Sequence, residues 1–220
     1  MPELSCIVKK DIACFLKGRH LEILYNERDF QVHLAMYLKA TGHYDDVDLE
    51  YYVPNSLLNG YKDLWDSELR LDLLVRKGQE YCPVELKYKT RKIEKPLKRF
   101  GEQIDNVVVV KNQGAQDIGM YDFWKDVKRV EMVKARFANV KSGLSVFLTN
   151  DKYYMGQPGE NSNNREFSMC DGPKSKSKHW LRETSITQSR KGFDLNKEYY
   201  IVWESAQFAG YPFNYCIVEI

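Results

Sequence analysis

The chain has 220 residues, 43% hydrophobic and 29% charged, which is material for one medium domain with a sizeable core. A net charge of only +2 excludes binding of a polyanion by global charge, so any nucleic-acid affinity rests on local patches. Five scattered cysteines (Cys6, Cys14, Cys82, Cys170 and Cys216) form no CxxC pair, which argues against a zinc site or disulfide framework and for a reducing compartment. No apolar run approaches a membrane span and MPELSCIVKKD lacks a signal-peptide core, so a soluble, cytoplasmic protein without a membrane partner is expected.

Residues 4–25 read as a short helical or mixed lead-in ending in LEILY. Asn26 is a natural N-cap for the helix ERDFQVHLAMYLKAT, which Gly42 can end as its C′ residue. Glu27 and Asp29 suit the positive end of the helix dipole, and for Asp29 that is the preferred account. Glu27 differs, because positions 27, 30, 31, 34 and 38 share a face with Phe30, Leu34 and Leu38. It sits at the tip of the core-facing stripe. Val47 to Val53 alternates and reads as a strand closed by Pro54, followed by a connection over 55–67.

Glu68 to Lys89, ELRLDLLVRKGQEYCPVELKYK, carries two period-2 apolar runs around Lys77-Gly78 and predicts an antiparallel hairpin. Alternation puts Glu85 and Lys87 on one face, and an even-length loop adds Asp72 to it. A two-residue loop, Lys77-Gly78, sets Asp72 diagonal to Glu85; a four-residue loop, Lys77 to Glu80, sets the two directly opposite. A three-residue loop without a bulge would break the arrangement. Two acids and a lysine in so apolar a hairpin are costly for structure alone. They suit a hard divalent cation beside a phosphate.

From Lys87 to Phe100 the chain is strongly basic, with Lys89, Arg91, Lys92 and Lys95 as candidate contacts to a phosphate backbone. Asn112 to Arg136 predicts a long helix. Met120, Phe123, Trp124, Val127 and Val130 are its apolar face, and Asp122, Asp126, Lys128, Arg129 and Glu131 its charged one. Gln113 and Gln116 fall in its first turn, with Gln113 a candidate substrate contact. Residues 143–150 predict a buried strand. Residues 156–179, poor in apolar side chains, predict a long mobile loop. Residues 198–204 and 213–220 predict two strands that extend the sheet, separated by a Gly210-Tyr211-Pro212 turn.

This order, with Asp72 in LRLDLLV, Glu85-Leu86-Lys87 thirteen residues on in CPVELKYKT, and Glu27 in NERDFQVHLAMYL, resembles the PD-(D/E)xK nuclease superfamily. The match covers roughly residues 20–150 of a single domain; Leu71 stands where the motif's proline would be. The resemblance implies an α/β, restriction-endonuclease-like αβββαβ core, with a mixed central sheet flanked by helices. It further implies a metal-dependent nuclease acting on DNA in preference to RNA. Asp72, Glu85 and the Leu86 carbonyl would hold Mg²⁺ or Mn²⁺, with Lys87 and Glu27 completing the catalytic set. Restriction-type enzymes that cut both strands commonly act as homodimers, so a dimer is compatible with it. The alternative is a nucleic-acid-binding or assembly protein on the same fold that does not cleave.

Overall fold

The structure is a computed structural model in which residues 3–18 and 23–220 are described. Leu21 and Glu22 of the LEILY run lie outside them. Helix α1 (Leu4–Gly18) and helix α2 (Glu27–Thr41) open the chain. The α2 caps agree with the sequence: the Asn26 side chain accepts the Asp29 N–H, and Gly42, at φ 69°, ends the helix with its N–H on the Lys39 carbonyl. Strands β1 (Asp46–Val53), β2 (Leu69–Lys77) and β3 (Glu80–Lys89) then form an antiparallel meander.

A hairpin absent from the sequence reading follows. It comprises β4 (Ile93–Arg99) and β5 (Glu102–Val110), which pair only with each other. Helix α3 (Gln116–Arg136) leads to β6 (Leu144–Thr149), which lies parallel to β3. The chain then makes short strands β7 (Gly172–Lys174), β8 (Ser177–Lys178), β9 (Phe193–Asp194) and β10 (Tyr199–Ile201), and ends in β11 (Glu204–Phe208) and β12 (Tyr211–Glu219).

The central sheet is mixed and six-stranded, in the order β1-β2-β3-β6-β12-β11. Successive strand residues face opposite sides, so β3 sends Val84, Leu86 and Tyr88 to the α1/α2 side, where they join Phe30, Leu34 and Leu38 in one cluster. On the other side Phe147 and Val218 pack against Phe123, Trp124 and Val127 of α3. The result is a mixed α/β architecture with helices on both faces of the sheet.

Two predicted features are corrected by packing. Residues 156–179 form no extended mobile loop: Phe167, Met169 and Lys178 are fully buried, and β7 and β8 pair with β10 and β9. Three anchors outweigh the polar composition around them, and the Lys178 ammonium lies 4.6 Å from the Trp124 ring centroid. Of the C-terminal strands, only those of the hairpin β11–β12 join the central sheet. Tyr199–Ile201 pairs with β7 instead, and the turn is Ala209-Gly210, both at positive φ, leaving Tyr211 and Pro212 inside β12.

Gly143 lies where α3 meets the sheet. A Cβ there would stand 2.4 Å from Val130 Cγ1 and 2.9 Å from Pro83 Cγ. Gly143→Ala should therefore cost about 1–3 kcal/mol by overpacking in urea denaturation. Gly159→Ala, with open space around it, should stay within about 0.5 kcal/mol of the parent. Equal stabilities for the two variants would contradict this packing.

Candidate functional site

The hairpin turn is Gly78-Gln79, with Gly78 at φ 59° and Lys77 paired to Glu80. This register corresponds to the four-residue spacing that sets Asp72 level with Glu85. Pairing runs as far as Leu73↔Val84 and stops one residue short of that level. There the Asp72 carboxylate takes over, accepting the Leu86 N–H through Oδ2 at 2.6 Å. Among the described residues its Oδ1 accepts no hydrogen bond. On the opposite edge of β2, Glu50 of β1 breaks the ladder between Leu49↔Leu73 and Tyr51↔Leu71, at φ 50°.

Glu85 and Lys87 share a sheet face with α3, and α3 supplies their partners. Glu85 is only 1% exposed and accepts from Arg129 Nη1 at 3.0 Å. Lys87 Nζ lies 2.6 Å from Asp126 Oδ2, and Arg129 Nη1 also stands 3.4 Å from Asp126 Oδ1. The sequence reading placed Asp126 and Arg129 on a charged helix face opposite the apolar one. In fact that stripe faces the sheet, and Glu131, also buried, holds the Asn196 N–H and the Tyr199 hydroxyl. From the other side Glu27 leans in as expected, accepting the Tyr88 N–H through Oε2 at 2.8 Å. Asp29 remains at the helix start, accepting the Tyr25 N–H.

Four carboxylates (Glu27, Asp72, Glu85, Asp126) therefore share this region with two cations, Lys87 and Arg129, leaving two negative charges in excess if all ionise. Burial pushes the Asp72 carboxyl up to about 6 despite the pull of Lys87, with Asp126 and Glu27 adding to the rise. Burial also holds the Glu85 carboxyl well above its usual range against the pull of Arg129. For Lys87, burial alone would lower the pKa, but Asp126, Glu27 and Glu85 outweigh it and hold the ammonium charged.

Asp72 opens onto a cleft of about 450 Å³ lined by Asn26, Glu27, Gln31, Glu50, Lys89 and Gln113, among others. Glu85 and Lys87 lie outside that lining, toward α3. A cleft of about 490 Å³ between β1 and the end of α3 is more apolar and has no converging carboxylates. Gln113 reaches the site from a loop and not from a helical turn, because α3 starts only at Gln116, after Ala115 at φ 56°. Its N–H is held by the Thr90 carbonyl, and its buried Oε1 has no partner among the described residues.

The basic candidates are dispersed. Lys89 lines the cleft, but Arg91 is drawn to Asp151 at 3.0 Å and its N–H to the Asn150 side chain. Lys92 pairs with Glu94 at 3.1 Å, and Lys95 projects from β4 without an ion pair among the described residues.

Besides Asp126 and Arg129, sequence reasoning missed Gln31 and Glu50. Gln31 is buried and donates to the Asp72 carbonyl at 2.7 Å and to Glu50 Oε1 at 3.0 Å. The signal for Gln31 was present, since it shares the helical face of Glu27 and Phe30. Nothing in the sequence marks Glu50.

Asp72, Glu85 and the Leu86 carbonyl are the donor set expected from the sequence for a hard cation. No group of three or more His, Cys, Asp or Glu side chains suited to a metal occurs among the described residues. The set fits a divalent ion on charge, since the excess carboxylate charge is what desolvation makes costly. Comparison with protein-family models, with curated proteins and with solved structures gave no match.

Asp72 binds its proton more tightly folded, at about 6 against 3.8. Its contribution to stability is complete below about pH 4 and is lost as the pH rises through 6, an amount up to about 3 kcal/mol. In chelator-containing buffer, Asp72→Asn should gain on the parent from pH 4.5 to 7 in urea denaturation. A pH-independent difference between the two would contradict this desolvation.

Proposed function

We propose that the protein is a metal-dependent nuclease that hydrolyses phosphodiester bonds, of DNA in preference to RNA, on a restriction-endonuclease-like core. The observation that carries the reading is the Asp72–Glu85–Lys87 cluster. It lies on one face of the β2–β3 hairpin where the ladder opens, with carboxylate charge in excess beside a cleft.

Asp72, Glu85 and the Leu86 carbonyl would hold Mg²⁺ or Mn²⁺. When bound, the ion would lower the pKa of a water and neutralise charge on the scissile phosphate. Lys87, kept protonated by its carboxylate neighbours, is unsuited to removing a proton and suited to stabilising the charge that builds on the phosphoryl oxygens. Glu27 is fixed by the Tyr88 N–H through one oxygen, leaving Oε1 to accept from and orient a water. Lys89, lining the same cleft, is placed to meet the substrate backbone. Arg129 holds Glu85 at rest, so loading the ion requires Glu85 to be shared between guanidinium and metal.

A second reading is favoured by that same contact. A glutamate sealed at 1% exposure against an arginine is also what a non-cleaving nucleic-acid-binding protein on this fold would keep.

Plasmid, linear and single-stranded DNA, each with and without Mg²⁺ or Mn²⁺, separate the two readings. Under the nuclease reading the ion raises the melting temperature of the parent. Cleavage should need the ion and fall by roughly a hundredfold or more in Lys87→Ala. Binding without cleavage in either metal would support the second reading. Cleavage at full rate in Lys87→Ala would sink the assignment of this site.

A further inference from the structure

The outer half of the β4–β5 hairpin is exposed and pairs with no other strand. Its base is anchored: Ile93, Val109 and Val110 are buried, and Leu97 and Val107 pack against the core beside them. Beyond that, Lys98, Arg99, Glu102, Gln103, Ile104, Asp105 and Asn106 are all exposed. At about 3.3 Å per residue the ribbon is about 20 Å long. Two register shifts mark bulges, which sharpen the twist of a two-stranded ribbon.

The tip is unusual in a second way. Phe100 and Gly101 have φ of 51° and 89°, the paired positive values of a turn that ordinarily takes Asn-Gly. A phenylalanine in that conformation is strained, and here it is also fully exposed. Folding gains nothing from it. An asparagine would make the turn more easily, so the ring is there to meet something outside the chain.

Charge identifies the partner. Residues 91–111 carry six basic side chains against three acidic ones, whereas the whole chain is nearly neutral. Lys95 and Lys98 have no ion pair among the described residues, so their charges are not already used. The ribbon also points at the site. The Arg99 guanidinium lies 5.4 Å from the Tyr25 ring centroid, next to the Asn26 and Glu27 that line the cleft, and the ribbon's two ends are clamped by the Gln113 N–H on the Thr90 carbonyl.

We propose that β4–β5 is an arm that engages duplex DNA. Its outer half enters a groove, Lys95 and Lys98 contact phosphates, and Phe100 packs against base edges or wedges at a base step. The B-form major groove admits a two-stranded ribbon, and an apolar tip residue directly after Lys98 and Arg99 is suited to unstack a step. The deep, narrow major groove of A-form RNA does not admit it. The proposal rests on the reading of the neighbouring site as one that acts on nucleic acid.

The test is fluorescence anisotropy of the full chain on a short labelled duplex, its single strand and the matching RNA duplex, in chelator. Parallel cleavage assays are run in Mg²⁺. Phe100→Asn suits the turn and should fold at least as well as the parent, yet bind duplex DNA about tenfold more weakly. Lys95→Glu with Lys98→Glu should lower the slope of log affinity against log salt by about two or more. Asp72→Asn should lose cleavage and still bind the duplex. Arm variants that bind and cut duplex like the parent, beside an inactive Asp72→Asn, would overturn the arm and leave the nuclease reading intact. Binding that the arm variants lose, with no cleavage by the parent in any metal, would overturn the nuclease reading and support the arm. Tighter binding of single strands or RNA than of duplex DNA, or no binding of any of the three, would overturn the proposal.

Discussion

Asp72 accepting the Leu86 N–H holds together two things that would otherwise conflict, a continuous hydrophobic sheet and a charged site within it. Strand pairing between β2 and β3 would run on if backbone met backbone at that level. A carboxylate instead fills the position of a ladder acceptor, satisfying the donor while letting the strands part. The opening admits Glu27 from α2, which takes the next N–H along that edge, at Tyr88. Two successive inward-facing residues of β3 thus have their amides capped by acids, and the acids are fixed by the sheet they interrupt. Gln31 completes the frame by binding the Asp72 carbonyl from the same helix.

Desolvation then shapes everything behind Asp72. Glu85 cannot stay ionised in that interior alone. The missing cation comes from α3, whose Arg129 serves Glu85 while Asp126 serves Lys87. Neither pair is local in sequence, and each joins the helix to the hairpin across the layer interface. Removing one partner of such a buried pair strands the other's charge, so the network is bound to the packing of Val127 and Val130 beside it. Even so the acids outnumber the bases. That surplus is a cost to the folded protein on its own, and a cation is the natural way to offset it.

Legibility in the sequence followed the locality of each cause. The parity of Asp72, Glu85 and Lys87 depends only on alternation along two strands and an even turn, so it could be read from ELRLDLLVRKGQEYCPVELKYK. The caps of α2 depend on Asn26 and Gly42 alone. Asp126 and Arg129 could not be assigned, because an amphipathic pattern sends charges outward by default, and only the buried acid on another element reverses that. The β4–β5 hairpin was hidden by Pro96 and by its lysines, which mimic a solvated run. Glu50 was invisible because its placement follows from β1 pairing against β2, a long-range register. The order imposed on residues 156–179 came from Phe167, Met169 and Lys178 docking on α3, a tertiary effect that composition does not register.

The place of the arm in the chain ties it to the site more closely than proximity does. It is inserted between the end of β3, which carries Lys87 and Lys89, and the loop carrying Gln113, and the Thr90–Gln113 hydrogen bond closes its base. Arg91 and Asn150 brace that base against the end of β6, the strand beside β3. The base of the ribbon therefore adjoins residues that line the cleft, with Arg99 on Tyr25 giving a second contact near the start of α2. Of these cleft residues, Gln113 has its buried Oε1 unsatisfied among the described residues, and an unsatisfied acceptor inside protein is costly until a donor arrives. Arm and acceptor lie on one short path along the chain, so a ligand seated on the ribbon would meet the cleft in a geometry the ribbon itself sets. The hydrogen bonds at Thr90, Arg91 and Asn150 tie the base of the ribbon to that path, on the strand edge that leads back to Lys87.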